Sequence, residues 1–385
     1  MKYEFDRMID RSGTNSEKWN IREGELPMWV ADMDFETAPE IKEAVLKRAG
    51  HGIYGYSVVP DEWYEAYINW WDTRYGYRME KEHLLFSTGV IPAISAVIRG
   101  LTSPGDKIII ITPIYNHFFN CISNNDRVPV ECPLKYKGRF EIDWDLFEEN
   151  CKDPKTTMVI FCNPQNPTGT IWNADELKRV GTICNENNVT VISDEIHCDL
   201  TAPGTKYIPF ASVNEINSNI CITCIAPSKT FNMAGLASSA VCVANEETRK
   251  KVRKALNSSE IAEPGVFAVQ AAVAAYNYGG SWLEELRKYV FDNKKYMSDF
   301  IGDNIPKLKD VSGPATYLSW VDIGGVGDEA AGFARRLRQE TGLWITDGKI
   351  YGKAGQGYFR INAACPRSYV VDGMSRLKRG CGIIA

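Results

Sequence analysis

Five short runs along the chain are apolar at almost every position: KIIIIT (107–112), TMVIFC (157–162), VTVISD (189–194), NICITCI (219–225) and SSAVCVA (238–244). A strand with one wet face alternates polar and apolar residues. A β-branched run without alternation is buried on both faces, as the strands of a parallel sheet are. Such a sheet needs helices on both sides. ADELKRVGTICNENN (174–188) supplies one, with Leu177, Val180, Ile183 and Cys184 at helical spacing. The alternation predicts an α/β fold with a mostly parallel sheet between helices. The last two runs lie close together in the chain, so simple right-handed winding is expected to be interrupted there.

At 385 residues the chain exceeds the size at which one core keeps growing, which predicts two lobes. APEIKEAVLKRAG (38–50) reads as a helix with Ile41, Val45 and Ala49 on one face and Gly50 able to end it. Residues 263–301 are too long for one uninterrupted helix, and Gly279-Gly280 is the expected break. The predicted division is a large domain over 48–282 and a smaller mixed α/β domain made of 1–47 with 283–385. The glycine-rich stretch DGKIYGKAGQGYFRIN falls in the second.

Hydrophobic residues at 44% and charged residues at 24% are globular rather than disordered proportions. A formal charge of −5 with no basic run argues against a nucleic-acid surface. There is no run of about 18 or more apolar residues, so no transmembrane helix is expected. MKYEFDRMIDRSGTNSEKW carries no apolar signal core, which points to a cytoplasmic protein. The eleven cysteines are an odd number, read as reduced thiols. Cys221 and Cys224 form a C-x-x-C, but on a strand they point to opposite faces, and no second pair completes a zinc set. No metal site is expected.

Ligands of open parallel sheets bind outside the carboxyl ends of the strands, and five marked positions fall there. Ser87-Thr88-Gly89 precedes a helix beginning near Val90 or Ile91, whose free N–H groups suit a phosphate; a plain turn is the alternative. Tyr115, after KIIIIT, is able to stack on a flat heterocycle or to serve as a core or loop tyrosine. In NPQNPTGTIW, Pro164 and Pro167 stiffen a loop that presents the Asn166 amide. Asp194 and Glu195 end a buried strand, where a carboxylate is costly unless partnered by a protonated ring nitrogen or an arginine. Lys229 follows an apolar strand among small and hydroxyl residues, with no carboxylate beside it in CITCIAPSKTFNMAGLASSA. A phosphate site, a stacking tyrosine, an amide for a phenolic oxygen, an acid for a pyridine nitrogen and a lysine amine together describe a pyridoxal phosphate pocket.

With these residues the sequence resembles fold-type I pyridoxal-phosphate enzymes of the class I/II aminotransferase superfamily over essentially its whole length. It is most similar to the MalY/PatB-type cystathionine β-lyases, or C–S lyases. PMWVADMDF (27–35), HGIYGY (51–56), SDEIHCDL (193–200), SKTFNMAGL (228–236) and FRINAACPR (359–367) look like that subgroup's signatures. The resemblance implies that Lys229 bonds the cofactor covalently, Asp194 faces its pyridine nitrogen, Asn166 its phenolic oxygen and Tyr115 its ring. Gly89, Val90 and Ile91 would bind the phosphate, with Ser228 assisting. Tyr56 would reach the phosphate of a neighbouring subunit, which makes the expected state a homodimer with shared sites. Arg360 would clamp the α-carboxylate of an amino-acid substrate, with Asn166 also touching the substrate, and Val30 and Ala31 lie in the segment that closes over it.

The chain departs from its relatives at three places. Ala226 stands where many carry a phosphate-binding serine, and Ala237 where aminotransferases carry an arginine or lysine. His197 replaces the tyrosine that aspartate-type aminotransferases set against the phenolic oxygen, and it is assigned to the pocket wall. The reaction implied by the subgroup is β-elimination from L-cystathionine or another cysteine S-conjugate, giving a thiol, pyruvate and ammonia. Transamination is the alternative, and a regulatory protein that retains the fold is a weaker one.

Overall fold

The computed structural model describes residues 2–326 and 332–384. Seven strands make the central sheet: β1 (Leu84–Ser87), β2 (Lys107–Thr112), β3 (Val128–Pro133), β4 (Thr156–Cys162), β5 (Thr190–Asp194), β6 (Cys221–Ile225) and β7 (Ser239–Cys242). Their order across the sheet is β1-β7-β6-β5-β4-β2-β3. β7 runs antiparallel to both its neighbours and the other pairs are parallel, so the interruption falls on the last run, as its short connection required. The two strands not anticipated, β1 and β3, are the sheet edges. Pro129 and Pro133 disguise β3, because proline is tolerated in a strand only where a ladder N–H is dispensable.

The absence of alternation in β2 has a direct cause. Ile108 and Ile110 pack on one face with Val90, Ile94 and Val97, and Ile109 and Ile111 on the other with Leu177 and Val180. All four isoleucines are completely buried. Each contributes roughly 1.5–3 kcal/mol relative to exposure. Cys221 and Cys224 likewise face opposite sides of β6.

Around the sheet lie α1 (Pro39–Gly50), α2 (Asp61–Tyr75), α3 (Val90–Leu101) and α4 (Ala174–Glu186), followed later in the chain by α5 (Ala268–Tyr278) and α6 (Gly280–Asn304). Gly50 is the last helical residue of α1, and the left-handed turn falls on Gly52. The break between α5 and α6 is at Gly279-Gly280, and only glycine fits at 279: a Cβ there would lie 2.4 Å from the Phe231 ring. The first half of α6 packs Trp282, Leu283 and Leu286 with α2 and α5. Its second half sends Met297 and Ile301 under a separate antiparallel sheet. That sheet is β8 (Lys309–Asp310), β9 (Leu318–Asp322), β10 (Thr346–Asp347) and β11 (Tyr358–Asn362), ordered β8-β9-β11-β10. Leu26–Pro27 pairs with Leu343–Trp344, which ties the N-terminal segment to the same side. No helix among the described residues is long and apolar enough to cross a membrane.

Candidate active site

The parallel strands end on one edge of the central sheet, and the predicted positions follow them. Lys229 stands four residues beyond β6, Asp194 is the last residue of β5, Asn166 follows β4 and Tyr115 follows β2. Gly89 caps α3, whose first residues are Val90 and Ile91; Pro92 has no N–H, so two backbone donors open the helix. Arg360 of β11 comes within hydrogen-bond distance of Asn166, and Ala31 of the N-terminal segment meets Lys229.

Asp194 and Glu195 are adjacent, buried and differently served. Glu195 accepts from Ser193 Oγ (2.7 Å), the Phe210 N–H (3.0 Å) and the Tyr207 hydroxyl. Its partners are all internal, which makes it a structural acid. Asp194 has one backbone donor, the N–H of Ile196 at 3.2 Å. Burial lifts its carboxyl to about 7, with Ile196 and the charge of Lys229 opposing. Among the described residues its carboxyl has no side-chain donor, so it keeps acceptor capacity.

Lys229 is half-buried and donates from Nζ to the carbonyl of Ala31 at 2.6 Å. Burial, reinforced by the charge of Arg360, lowers its amine to about 8, against the pull of Asp32 and Asp194. A substantial fraction is therefore neutral and nucleophilic near physiological pH. Lys294 is also lowered to about 8 by burial, but it spends its protons on the carbonyls of Gly313, Ala315 and Thr316. Its role is to hold a loop.

Arg360 is buried, and its recorded contacts are uncharged: Asn166 Oδ1 at 3.4 Å, the Trp29 carbonyl at 3.0 Å and the face of Tyr351. Its Nε has no partner among the described residues. Among the described residues this guanidinium has no carboxylate partner, so its donors are free to take one. His197 is buried with no partner for Nδ1 among the described residues, and burial, then Lys229 and Arg360, push its imidazole down to about 3. It is a buried, neutral imidazole. Tyr115 stacks on His117 at 4.9 Å, and burial holds its phenol up to about 12. Ser228 is half-buried at the turn before Lys229. Ala226 is buried, and Ala237 adopts the left-handed conformation at φ 49°. Tyr56 stands apart from all of these, fully exposed on a segment where Ile53, Tyr54 and Val58 are exposed too.

The geometry adds residues that the motifs did not reveal. Tyr317, just before β9, donates to the Ala31 carbonyl at 2.9 Å. Asn362 at the end of β11 donates to the carbonyls of Val30 (2.7 Å) and Asp32 (2.6 Å). Asn232 brackets Met33, accepting from its N–H and donating to its carbonyl. Gln165 ties the Asn166 loop to β2 by donating to the carbonyls of Ile111 and Pro113. Behind the crossing segment, Asp32 and Asp34 meet Arg11 and Lys18 in a charge-balanced group, with Lys18–Asp34 at 2.6 Å and Arg11–Asp34 at 2.8 Å. Buried side-chain amides touching main chain far along the sequence have no local pattern; a buried polar residue closing a strand, such as Asn362 at the end of YFRIN, is a signal of this kind.

The model of the aminotransferase class I and II family matches residues 26–377. The chain belongs to the class I and II aminotransferase family. Within it, the chain is 38% identical to cystathionine beta-lyase PatB of Bacillus subtilis, covering 97% of this chain and 98% of that protein. Among solved structures it is similar to cystalysin from Treponema denticola, which contains a pyridoxal 5′-phosphate cofactor, with a TM-score of 0.96, 31% identity and 100% of both chains covered. It is also similar to the pyridoxal-phosphate-bound C–S lyase from Staphylococcus hominis, with a TM-score of 0.93, 34% identity, and 98% and 99% of the two chains covered.

Proposed function

We propose that this chain is a pyridoxal 5′-phosphate-dependent carbon–sulfur β-lyase that cleaves L-cystathionine or a related cysteine S-conjugate to a thiol, pyruvate and ammonia. The observation that carries the reading is the meeting of three ionisable groups, none of them in a salt bridge among the described residues: the Lys229 amine, the Asp194 carboxyl and the Arg360 guanidinium. Relatives whose names state C–S lyase activity and a pyridoxal phosphate cofactor support it.

The residues fit that cofactor. Asp194 offers the acceptor that a protonated ring nitrogen needs. Asn166 Oδ1 faces Arg360, which leaves its N–H₂ to donate to the phenolic oxygen. The Val90 and Ile91 amides suit the phosphate at the start of α3, with Gly89 and Ser228 beside them. Tyr115 would lie on the ring, and His197 would close the wall. When bound, the cofactor supplies the electron sink for the substrate α-carbon. Lys229, once free, takes the α-proton as general base, and the departing sulfur carries away the electron pair of the C–S bond. Arg360 holds the α-carboxylate, and the Val30–Ala31 segment excludes water above it.

The test is L-cystathionine or L-cysteine supplied without a keto acid. Pyruvate is expected over many turnovers. An aminotransferase would stop after about one turnover per site, its cofactor left as the amine until a keto acid is added. That arrest would overturn the lyase reading.

The lobes at 48–282 and 1–47 with 283–385 are taken to flank this crevice. The exposed Ile53–Val58 segment is read as the arm of a homodimer, with Tyr56 completing the partner's phosphate site. Mixing inactive Lys229→Ala and Tyr56→Phe chains should restore about a quarter of wild-type activity, since about half the dimers are mixed and each has one intact site. No recovery despite subunit exchange would remove the shared-site claim. Eleven buried free thiols suit a cytoplasmic setting.

A further inference from the structure

We propose that Tyr317 is a positioning residue for Lys229: its hydroxyl and the lysine amine share one acceptor, the Ala31 carbonyl, and the sharing keeps the free amine neutral and reactive. The inference rests on Lys229 being the cofactor-bonding lysine, and it adds what controls that lysine once it is free.

Lys229 Nζ donates to the Ala31 oxygen at 2.6 Å and Tyr317 Oη at 2.9 Å. Tyr317 is almost fully buried and edge-on to His197, which screens its hydroxyl from bulk solvent. A carbonyl oxygen has two lone pairs, and both are taken. The hydroxyl proton is the positive end of its dipole and lies against the oxygen that an ammonium at Lys229 would use. Both effects disfavour the protonated amine. The carbonyl cannot swing to serve one donor, because Asn362 holds the carbonyls on either side, those of Val30 and Asp32. The segment is further fixed by Asn232 at Met33 and by the Arg11–Lys18–Asp32–Asp34 group.

The other groups facing the amine leave this lever in place. Asp32 from the crossing segment and Asp194 from β5 favour its protonation, while Arg360 from β11 opposes it. Asp32 is itself engaged by Arg11 at 2.9 Å and Lys18 at 3.5 Å. His197 is neutral, and so is the phenol of Tyr115.

The experiment strips the cofactor from the full chain, adds back pyridoxal 5′-phosphate and follows its covalent attachment by visible absorbance across pH. Attachment needs the neutral amine, so the wild-type rate should rise through a midpoint near 8. Tyr317→Phe should move that midpoint up by about half a unit and slow attachment about threefold below it. Placing 3-fluorotyrosine at 317, a stronger donor of nearly the same shape, should move the midpoint down; this arm decides the matter if the phenylalanine variant fails to fold. A folded Tyr317→Phe with an unmoved midpoint overturns the proposal, even if its thermal stability has fallen, because packing alone would then be its role. Covalent attachment to a Lys229→Ala chain would instead sink the lysine assignment, a separate failure.

Discussion

Replacing Lys229 with alanine is expected to abolish turnover and to end covalent labelling, while leaving the fold intact. On the proposed reading the variant loses both the nucleophile that bonds the cofactor and the base that takes the α-proton. The second loss alone is worth about 10²–10⁴-fold in rate. Borohydride, which reduces a carbon–nitrogen double bond to a stable amine, should fix the cofactor to Lys229 in the wild-type chain and to nothing in the variant. Folding should survive for a reason the site supplies. The amine is lowered to about 8 from an ordinary 10.5, so the folded chain holds it less protonated than the unfolded chain does. Its desolvation therefore weakens the fold at pH below 8, and stability from this group is regained only as pH rises toward 10.5. Alanine removes that cost. Labelling at another lysine would refute the assignment, and Lys294, lowered equally but hydrogen-bonded to three carbonyls, is the informative control.

The fold was legible wherever burial was symmetrical. Ile108–Ile111 announce a strand with helices on both faces because neither face admits water, and Gly279-Gly280, in a stretch too long for one helix, announces a break. The edges were less readable: β3 carries two prolines, and β1 has only four residues. At the site, residues that follow a strand in a motif were visible, since position along a parallel strand fixes which edge a side chain reaches. Tyr317 and Asn362 were not. Each acts on main-chain carbonyls more than 280 residues earlier in the chain, and no local pattern encodes that. The pair Asp194-Glu195 shows the same limit within two residues. Sequence put a carboxylate at the strand end, and only the partners Tyr207, Ser193 and Phe210 separate the structural acid from the one left open.

That open acid gives the second large effect, with opposite signs for function and stability. Asp194→Asn keeps the shape but cannot carry charge, so a ring nitrogen facing it stays unprotonated and the electron sink weakens. Turnover should fall by about 10²–10³-fold, the range for losing one preorganised electrostatic contact. The cofactor-free chain should at the same time become more stable at alkaline pH. In the unfolded chain the carboxyl ionises near 3.8, whereas burial holds it to about 7 in the fold. Between those values the folded state binds more protons, so stability falls as pH rises and the loss is complete above about 7. The shift corresponds to an upper bound on the order of 4 kcal/mol. Asparagine escapes that loss, and its advantage in Tm over wild type should be small at pH 4 and grow through pH 8. Pyridoxal 5′-phosphate should reverse the order, stabilising the wild type more than the variant, because a protonated ring nitrogen partners only the ionised acid. Equal turnover in the two proteins, or a Tm difference that ignores both pH and cofactor, would mean that some other group faces the ring nitrogen and that Asp194 is buried for packing alone.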